Sequence, residues 1–215
     1  MKLFSRVAVV TDHTMLQEAY AIRAVLEAFR IRVEFIRFVQ KPHILEFFSR
    51  GDPPSYTVIV CHGTGEPPDD LHLALEVGEQ KDQRYEETEG WSLETVKMTP
   101  TYIRHNIRGR RGTLISYACG SGRQPLAEAF INAGYSSYIA PLETYYDSQA
   151  GIAFITSFFY LLLSEDRDYV KRTYSEEEAV RLAAALDSDF KYGPQVFRRF
   201  TKAGYDSDVG FDFQT

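Results

Sequence analysis

The sequence predicts an open α/β protein: three layers, with a mostly parallel β-sheet covered by helices on both faces. Three observations predict it. Continuous apolar, β-branched runs recur at residues 6–11, 56–61 and 112–118, as strands buried on both faces require. Segments with apolar residues at helical spacing separate them. The strand–helix–strand order then calls for parallel pairing through right-handed crossovers, which puts chemistry at the carboxyl ends of the strands.

Each element follows from its own residues. Residues 6–11 (RVAVVT) form the first strand. Leu16, Tyr20, Ala21, Ala24, Val25 and Ala28 mark a helix over 16–29, with Thr14 as its expected cap. Residues 32–38 alternate as a second strand, and 43–50 read as a short helix. Gly51, Pro53 and Pro54 lead into the third strand, 56–61 (YTVIVC). The fourth, 112–118 (GTLISYA), runs into Gly120-Ser121-Gly122 and a helix over 125–132. Pro125 suits its first turn and Gly134 its stop. A fifth strand over 135–142 and a long helix over 148–163 follow. Ser175 and Glu178 fit a capping box at the start of the last helix. The tail after Gly193, with Phe197, Phe200, Phe211 and Phe213, reads as aromatic and irregular. No repeat or linker divides the chain, so 1–215 is expected to be one domain.

Two segments interrupt this rhythm. Residues 64–98 are polar and rich in Pro, Gly and Glu, with 71–77 able to form a hairpin strand; connections this long are usually functional. Arg104, Arg108, Arg110 and Arg111 crowd the end of a helix begun by Thr99 and Pro100 and stopped by Gly109, where positive charge complements the helix dipole; a site for an acidic partner is the competing reading.

Composition excludes several classes. The chain has 44% hydrophobic, 14% aromatic and 25% charged residues, which is globular rather than disordered, collagenous or coiled-coil. A formal net charge of −6 argues against a nucleic-acid partner, whose phosphates demand surplus positive charge. Cys61 and Cys119 make neither a disulfide framework nor a C-x-x-C site, so no metal and no cofactor are expected. The first residues lack a signal-peptide pattern, and the apolar run 150–163 is too short to span a bilayer. A cytoplasmic protein without a membrane partner is the expectation.

Two strands end in residues that carry chemistry. The third ends in Cys61-His62-Gly63, the fourth in Ala118-Cys119-Gly120-Ser121-Gly122. If these strands are neighbours, His62 and Cys119 emerge side by side at the carboxyl edge. A thiol needs a neighbouring base to act as a nucleophile near neutral pH, and imidazole is the usual one. Gly63 admits a substrate carbonyl closely, and the N–H groups of Gly63 and Cys119 form a candidate oxyanion site. The helix beginning near Pro125 adds the positive end of its dipole. Cys61 points away from His62 on the same strand and belongs to the core. His62 also precedes Cys119 at a separation close to the about 50 residues of caspase-type arrangements.

The run T-L-I-S-Y-A-C-G-S-G, followed by L-A-E-A-F-I-N-A-G-Y-S-S-Y-I-A-P-L, resembles the caspase–haemoglobinase fold of clan CD cysteine peptidases. It is most similar to the CHAT-type members of that group, whose relatives include separases, clostripain and gingipains. A strand ending His-Gly, a strand ending Ala-Cys-x-Ser-Gly, a helix ending Ala-Gly and a strand ending Ile-Ala occur in order across 56–163, about half of the chain.

The resemblance implies a metal-free cysteine endopeptidase acting on a protein or peptide. Cys119 would form a thioester acyl-enzyme, His62 would manage protons, and the Gly63 and Cys119 amides would hold the oxyanion. It also implies a specificity pocket from the end of strand one, the residues before the nucleophile and the loop after strand five. Those positions here hold Asp12, Ser116 and Tyr117, and Glu143 to Asp147. Carboxylates rather than arginines there favour cleavage after Arg or Lys, although Asp12 suits helix capping equally well. The short segment 120–135 leaves no room for a caspase-like activation linker, so the 64–98 insertion or a partner protein is the expected control point.

The same residues also bear on other chemistries. A pseudopeptidase acting as an interaction module keeps the fold and drops the chemistry, but His62-Gly63 and Cys119-x-Ser-Gly are both intact. A thiol phosphatase needs an arginine where Pro125 stands, and Arg123 comes too early. No G-x-S-x-G follows a strand, and Thr11-Asp12-His13-Thr14 is no phosphate-binding loop.

Overall fold

A computed structural model describes residues 6–64, 71–79, 92–109, 112–163, 174–186 and 192–205. In chain order, β1 (Val7–Thr11), α1 (Leu16–Ala28), β2 (Val33–Arg37), α2 (Lys41–Ser49) and β3 (Tyr56–Val60) open the fold. Three strands follow: β4 (His62–Thr64), β5 (His72–Glu79) and β6 (Ser92–Met98). Then come α3 (Pro100–Asn106), β7 (Thr113–Ser116), α4 (Gln124–Asn132), β8 (Ser137–Pro141), α5 (Ser148–Leu163) and α6 (Glu176–Ala184). A 3-10 turn at Pro194–Val196 leads into β9 (Phe197–Thr201) and β10 (Gly204–Tyr205).

Among the described residues seven strands form the central sheet, in the order β10-β9-β8-β7-β3-β1-β2. The five from β8 to β2 are parallel, while β9 and β10 add antiparallel pairs at one edge. The order reverses between β1 and β3, the place where an open α/β sheet leaves a crevice at its carboxyl edge. Each face carries its own core. On one, Ile22, Leu26, Phe154, Phe158 and Phe159 from α1 and α5 pack with Ala179 and Val180 of α6. On the other, Phe38, Phe48, Ile103 and Phe130 pack with the apolar side of the small sheet, Leu73, Leu75, Val77 and Val96. The three-layer α/β architecture expected from the alternating pattern is therefore present. β1, β7 and β8 are buried along their whole length, which is why their sequences read as continuous apolar runs.

Some local expectations need correction. Thr14 does not cap α1: Met15 occupies the cap without a side-chain bond, and the Thr14 amide and hydroxyl both donate to Asp12. The capping box of Ser175 and Glu178 is present. The third strand ends earlier than the apolar run does, because the chain bends at Cys61 and continues as β4 in a separate antiparallel sheet, β4-β5-β6. Phe197 and Phe200 are not in an irregular tail. They belong to β9, where Phe197 stacks on Phe154 with ring centroids 4.0 Å apart and an 8° interplanar angle. α3 stops at Asn106, before Gly109, and Arg104 and Arg108 are exposed. Arg110, Arg111, Phe211 and Phe213 lie outside the described residues, as does most of the connection between β4 and β6. No helix among the described residues is long and apolar enough to cross a membrane.

Candidate functional site

β3 and β7 are neighbours, and Ile59↔Ser116 is their last registered pair. His62 and Cys119 each lie three residues beyond it, so both leave the sheet at the same level of its carboxyl edge. Gly63, the residue after His62, meets the Cys119 backbone closely. A Cβ added to Gly63 would lie 2.1 Å from the Cys119 carbonyl oxygen and 2.8 Å from its amide nitrogen. Only a glycine allows two backbones to approach like this.

β4 carries His62, which is exposed and faces Ala74 across the ladder. On β5 the Glu76 N–H leaves the ladder to reach Asp12, and the Gly78 N–H reaches the Val39 carbonyl. Backbone groups alternate along an antiparallel strand. His62 and Thr64 therefore share hydrogen-bonded pairs with β5, and the Gly63 N–H is directed away from β5.

The loop after Cys119 is held by main-chain bonds rather than by the α4 cap, where Arg123 makes no side-chain bond. Gly120, at φ +65°, donates its N–H to the Glu143 carbonyl at 2.6 Å, and Gly122 donates to the Pro141 carbonyl at 2.7 Å. A positive φ here is glycine's territory. Ser121 is fully buried: its hydroxyl bonds to Ser116 Oγ at 2.8 Å and to the Ala118 carbonyl at 2.6 Å. Ser121 therefore shapes the loop and is not an exposed nucleophile.

Cys119 is half-buried. Burial pushes its thiol above the ordinary value, while hydrogen bonds from the backbone N–H groups of Tyr146 and of Cys119 itself favour the thiolate. Tyr146 is held in place. Its hydroxyl donates to the Tyr117 carbonyl, and its ring packs edge-on against Tyr117 and Phe197. The Tyr146 amide is a contributor that sequence reasoning missed, and a backbone donor leaves no signature in residue types. Cys61 is buried among apolar side chains, and burial first, then the nearby Asp12 and Cys119 charges, hold its thiol well above the ordinary value. It is core, as its alternation with His62 indicated.

The expected pocket residues are brought to the same edge but are largely committed elsewhere. Asp12 is fully buried, with three donors on its two oxygens, so it offers no open carboxylate to a substrate. Tyr117 is buried and donates its hydroxyl to the Ser148 carbonyl at 2.6 Å. Asp147 Oδ1 caps α5 by accepting the Gln149 N–H at 2.7 Å and the Ala150 N–H at 3.3 Å. Glu143 is half-buried on the loop whose carbonyl holds Gly120. Among the described residues no group of three His, Cys, Asp or Glu side chains is arranged to hold a metal ion.

No protein-family model matches the chain, and no curated protein does. Among solved structures it is similar to the Streptococcus pneumonia TIGR4 flavodoxin, with 11% identity and a TM-score of 0.33 over 70% of this chain and 92% of that one. A likeness that weak carries no argument about function.

Proposed function

We propose that this chain is a cysteine endopeptidase of the caspase–haemoglobinase type, with Cys119 as nucleophile and His62 as its proton carrier. The observation that carries the reading is the backbone contact of Gly63 with Cys119, which sets the residue after the imidazole directly against the thiol-bearing residue. Because burial raises the Cys119 thiol above its ordinary value, attack calls for a base. His62 takes the thiol proton as Sγ bonds to the scissile carbonyl carbon. The developing oxyanion accepts from the Gly63 and Cys119 N–H groups. Collapse breaks the C–N bond, His62 returns the proton to the leaving amine, and water then releases the thioester.

The substrate class is a protein or peptide. With Asp12 buried, preference for Arg or Lys before the scissile bond rests on Glu143 and the second oxygen of Asp147. A peptide library varied at that residue, run on wild type, Cys119→Ala and Glu143→Gln, tests both parts. Cleavage by wild type and not by Cys119→Ala is expected, with Glu143→Gln losing preference for basic residues. Equal cleavage by Cys119→Ala would remove the thiol from the mechanism.

A further inference from the structure

Asp12 stands where the large and small sheets part. β1 and β3 run together as far as Thr11↔Val60, and the Thr11 hydroxyl donates to the Val60 carbonyl at 2.8 Å. Beyond Val60 the chain swings away to become β4. β4 pairs with β5 only from Ala74 to His72, so the Glu76 N–H has no ladder partner on that side. The Asp12 carboxylate fills the gap: Oδ2 accepts the Glu76 N–H at 2.8 Å. Oδ1 accepts the Thr14 N–H at 2.8 Å and the Thr14 hydroxyl at 2.7 Å. His13 reinforces the joint, with Nδ1 3.1 Å from the Glu76 carbonyl oxygen and Nε2 3.7 Å from its carboxylate.

From Glu76 the mechanical path is short, since Ala74 lies two residues back on β5 and pairs with His62. The large sheet supplies Cys119 through β7, and the small sheet supplies His62 and Gly63 through β4. Their relative placement therefore depends on how the two sheets are joined. A local turn would need only Oδ1; the Oδ2 bond reaches a strand of the other sheet and has no part in that turn.

We infer that Asp12 is a positioning residue: by tying β5 to the end of β1, it holds His62 and Gly63 in register with Cys119. This rests on the His62–Cys119 reading. The Gly78 N–H bond to the Val39 carbonyl is a second anchor, 2.8 Å long, which lets the small sheet stay attached when Asp12 is altered.

The test follows alkylation of Cys119 by iodoacetamide, read by mass spectrometry on the full chain, with thermal unfolding recorded for every variant. His62→Ala is expected to slow alkylation, and Asp12→Ala to slow it to the same rate. The double variant should be no slower than His62→Ala alone, because the two substitutions remove one function. Asp12→Asn keeps the Thr14 bonds but turns an N–H toward the Glu76 N–H, so it should slow alkylation too and serves if Asp12→Ala does not fold. Thr14→Val leaves the Oδ2 bond and should react at the wild-type rate. Faster alkylation in Asp12→Ala or Asp12→Asn, or rate losses that multiply with His62→Ala, would overturn the inference. If His62→Ala itself reacts like wild type, the dyad falls first. On a cleaved peptide, Asp12→Asn should lower kcat by about 100-fold, the scale of a misplacement near 1 Å, with KM held and all residues before the scissile bond affected alike. A loss confined to Arg and Lys substrates would return Asp12 to the pocket.

Discussion

Gly63 and Cys119 touch backbone to backbone, with room for no side-chain atom between them: a methyl on Gly63 would sit 2.1 Å from the Cys119 carbonyl oxygen. Relief would have to come from the main chain of β4 or of the loop after β7, since no flexible side chain is in the way. Gly63→Ala is therefore expected to destabilise the fold by about 1–3 kcal/mol, the range for overpacking a filled site. It should also displace the candidate thiol. Gly51→Ala is the control, because a Cβ there meets nothing within 4 Å. Denaturant midpoints and Cys119 alkylation for both variants check this, and a Gly63→Ala protein as stable and reactive as wild type would contradict the contact.

The two thiols should separate by chemistry. Cys119 is half-buried with two backbone N–H groups beside its sulfur, whereas Cys61 is sealed in the core. In His62→Ala, where no base assists, the Cys119 alkylation rate should keep climbing through and beyond the ordinary thiol range of about 8.5, without a plateau near neutrality. Cys61 should stay unmodified until the protein unfolds. Peptide mapping after alkylation across pH 6–11 distinguishes them.

Alkaline pH should destabilise the fold, and the sign follows from the buried acids. Burial raises Tyr117, Tyr138, Tyr146 and Cys61, and pushes Tyr56 up to about 12, where the Glu176 charge adds to the effect. Each holds its proton more tightly when folded, so the unfolded chain binds fewer protons as pH rises. Their contribution is fully present below the unfolded values, about 8.5 for Cys and about 10 for Tyr, and is lost as pH climbs through the raised folded ones. Denaturant midpoints should fall above about pH 8.5 on this account, and tyrosinate absorbance should appear together with unfolding. Tyrosinate growth while the fold stays intact would contradict it.

Two polar clusters, one buried and one partly buried, should part stability from reactivity. At the carboxyl edge, Ser121 ties Ser116 to Ala118 beneath the candidate nucleophile. At the far end, the Glu176 carboxylate accepts from Thr113, Ser137 and Arg199, pinning α6 to β7, β8 and β9. Ser121→Ala should cost about 1–3 kcal/mol and also lower Cys119 alkylation. Glu176→Gln should cost about 1.5–3 kcal/mol, the scale of hydrogen bonds to a charged group, and leave alkylation unchanged. Reactivity lost in Glu176→Gln would show that the two ends of the sheet are coupled.

Much of the fold was legible along the chain because its signals are local. Doubly buried strands such as VAVVT and TLIS can only be apolar, and Ser175 with Glu178 announces a helix start from four residues. β9 was not legible. Its Phe-Arg-Arg-Phe order, which puts Phe197 and Phe200 on opposite faces of the sheet, makes sense only once β8 offers an antiparallel edge and Glu176 a partner for Arg199. The bend at Cys61 was equally silent, since YTVIVCHG reads as one strand.

For the site, the sequence by itself determined that an imidazole and a thiol follow two buried strands, each beside glycine, because buried strands force their chemistry into the residues just past their ends. Tertiary structure alone decided that β3 and β7 are neighbours, that Gly63 rests on Cys119, and that Asp12 is spent inside the protein. Those outcomes depend on strand order and on main-chain donors such as the Glu76, Gly120 and Tyr146 N–H groups. Every residue except proline carries the same N–H, so residue identity alone cannot reveal which carboxylate or carbonyl it will find.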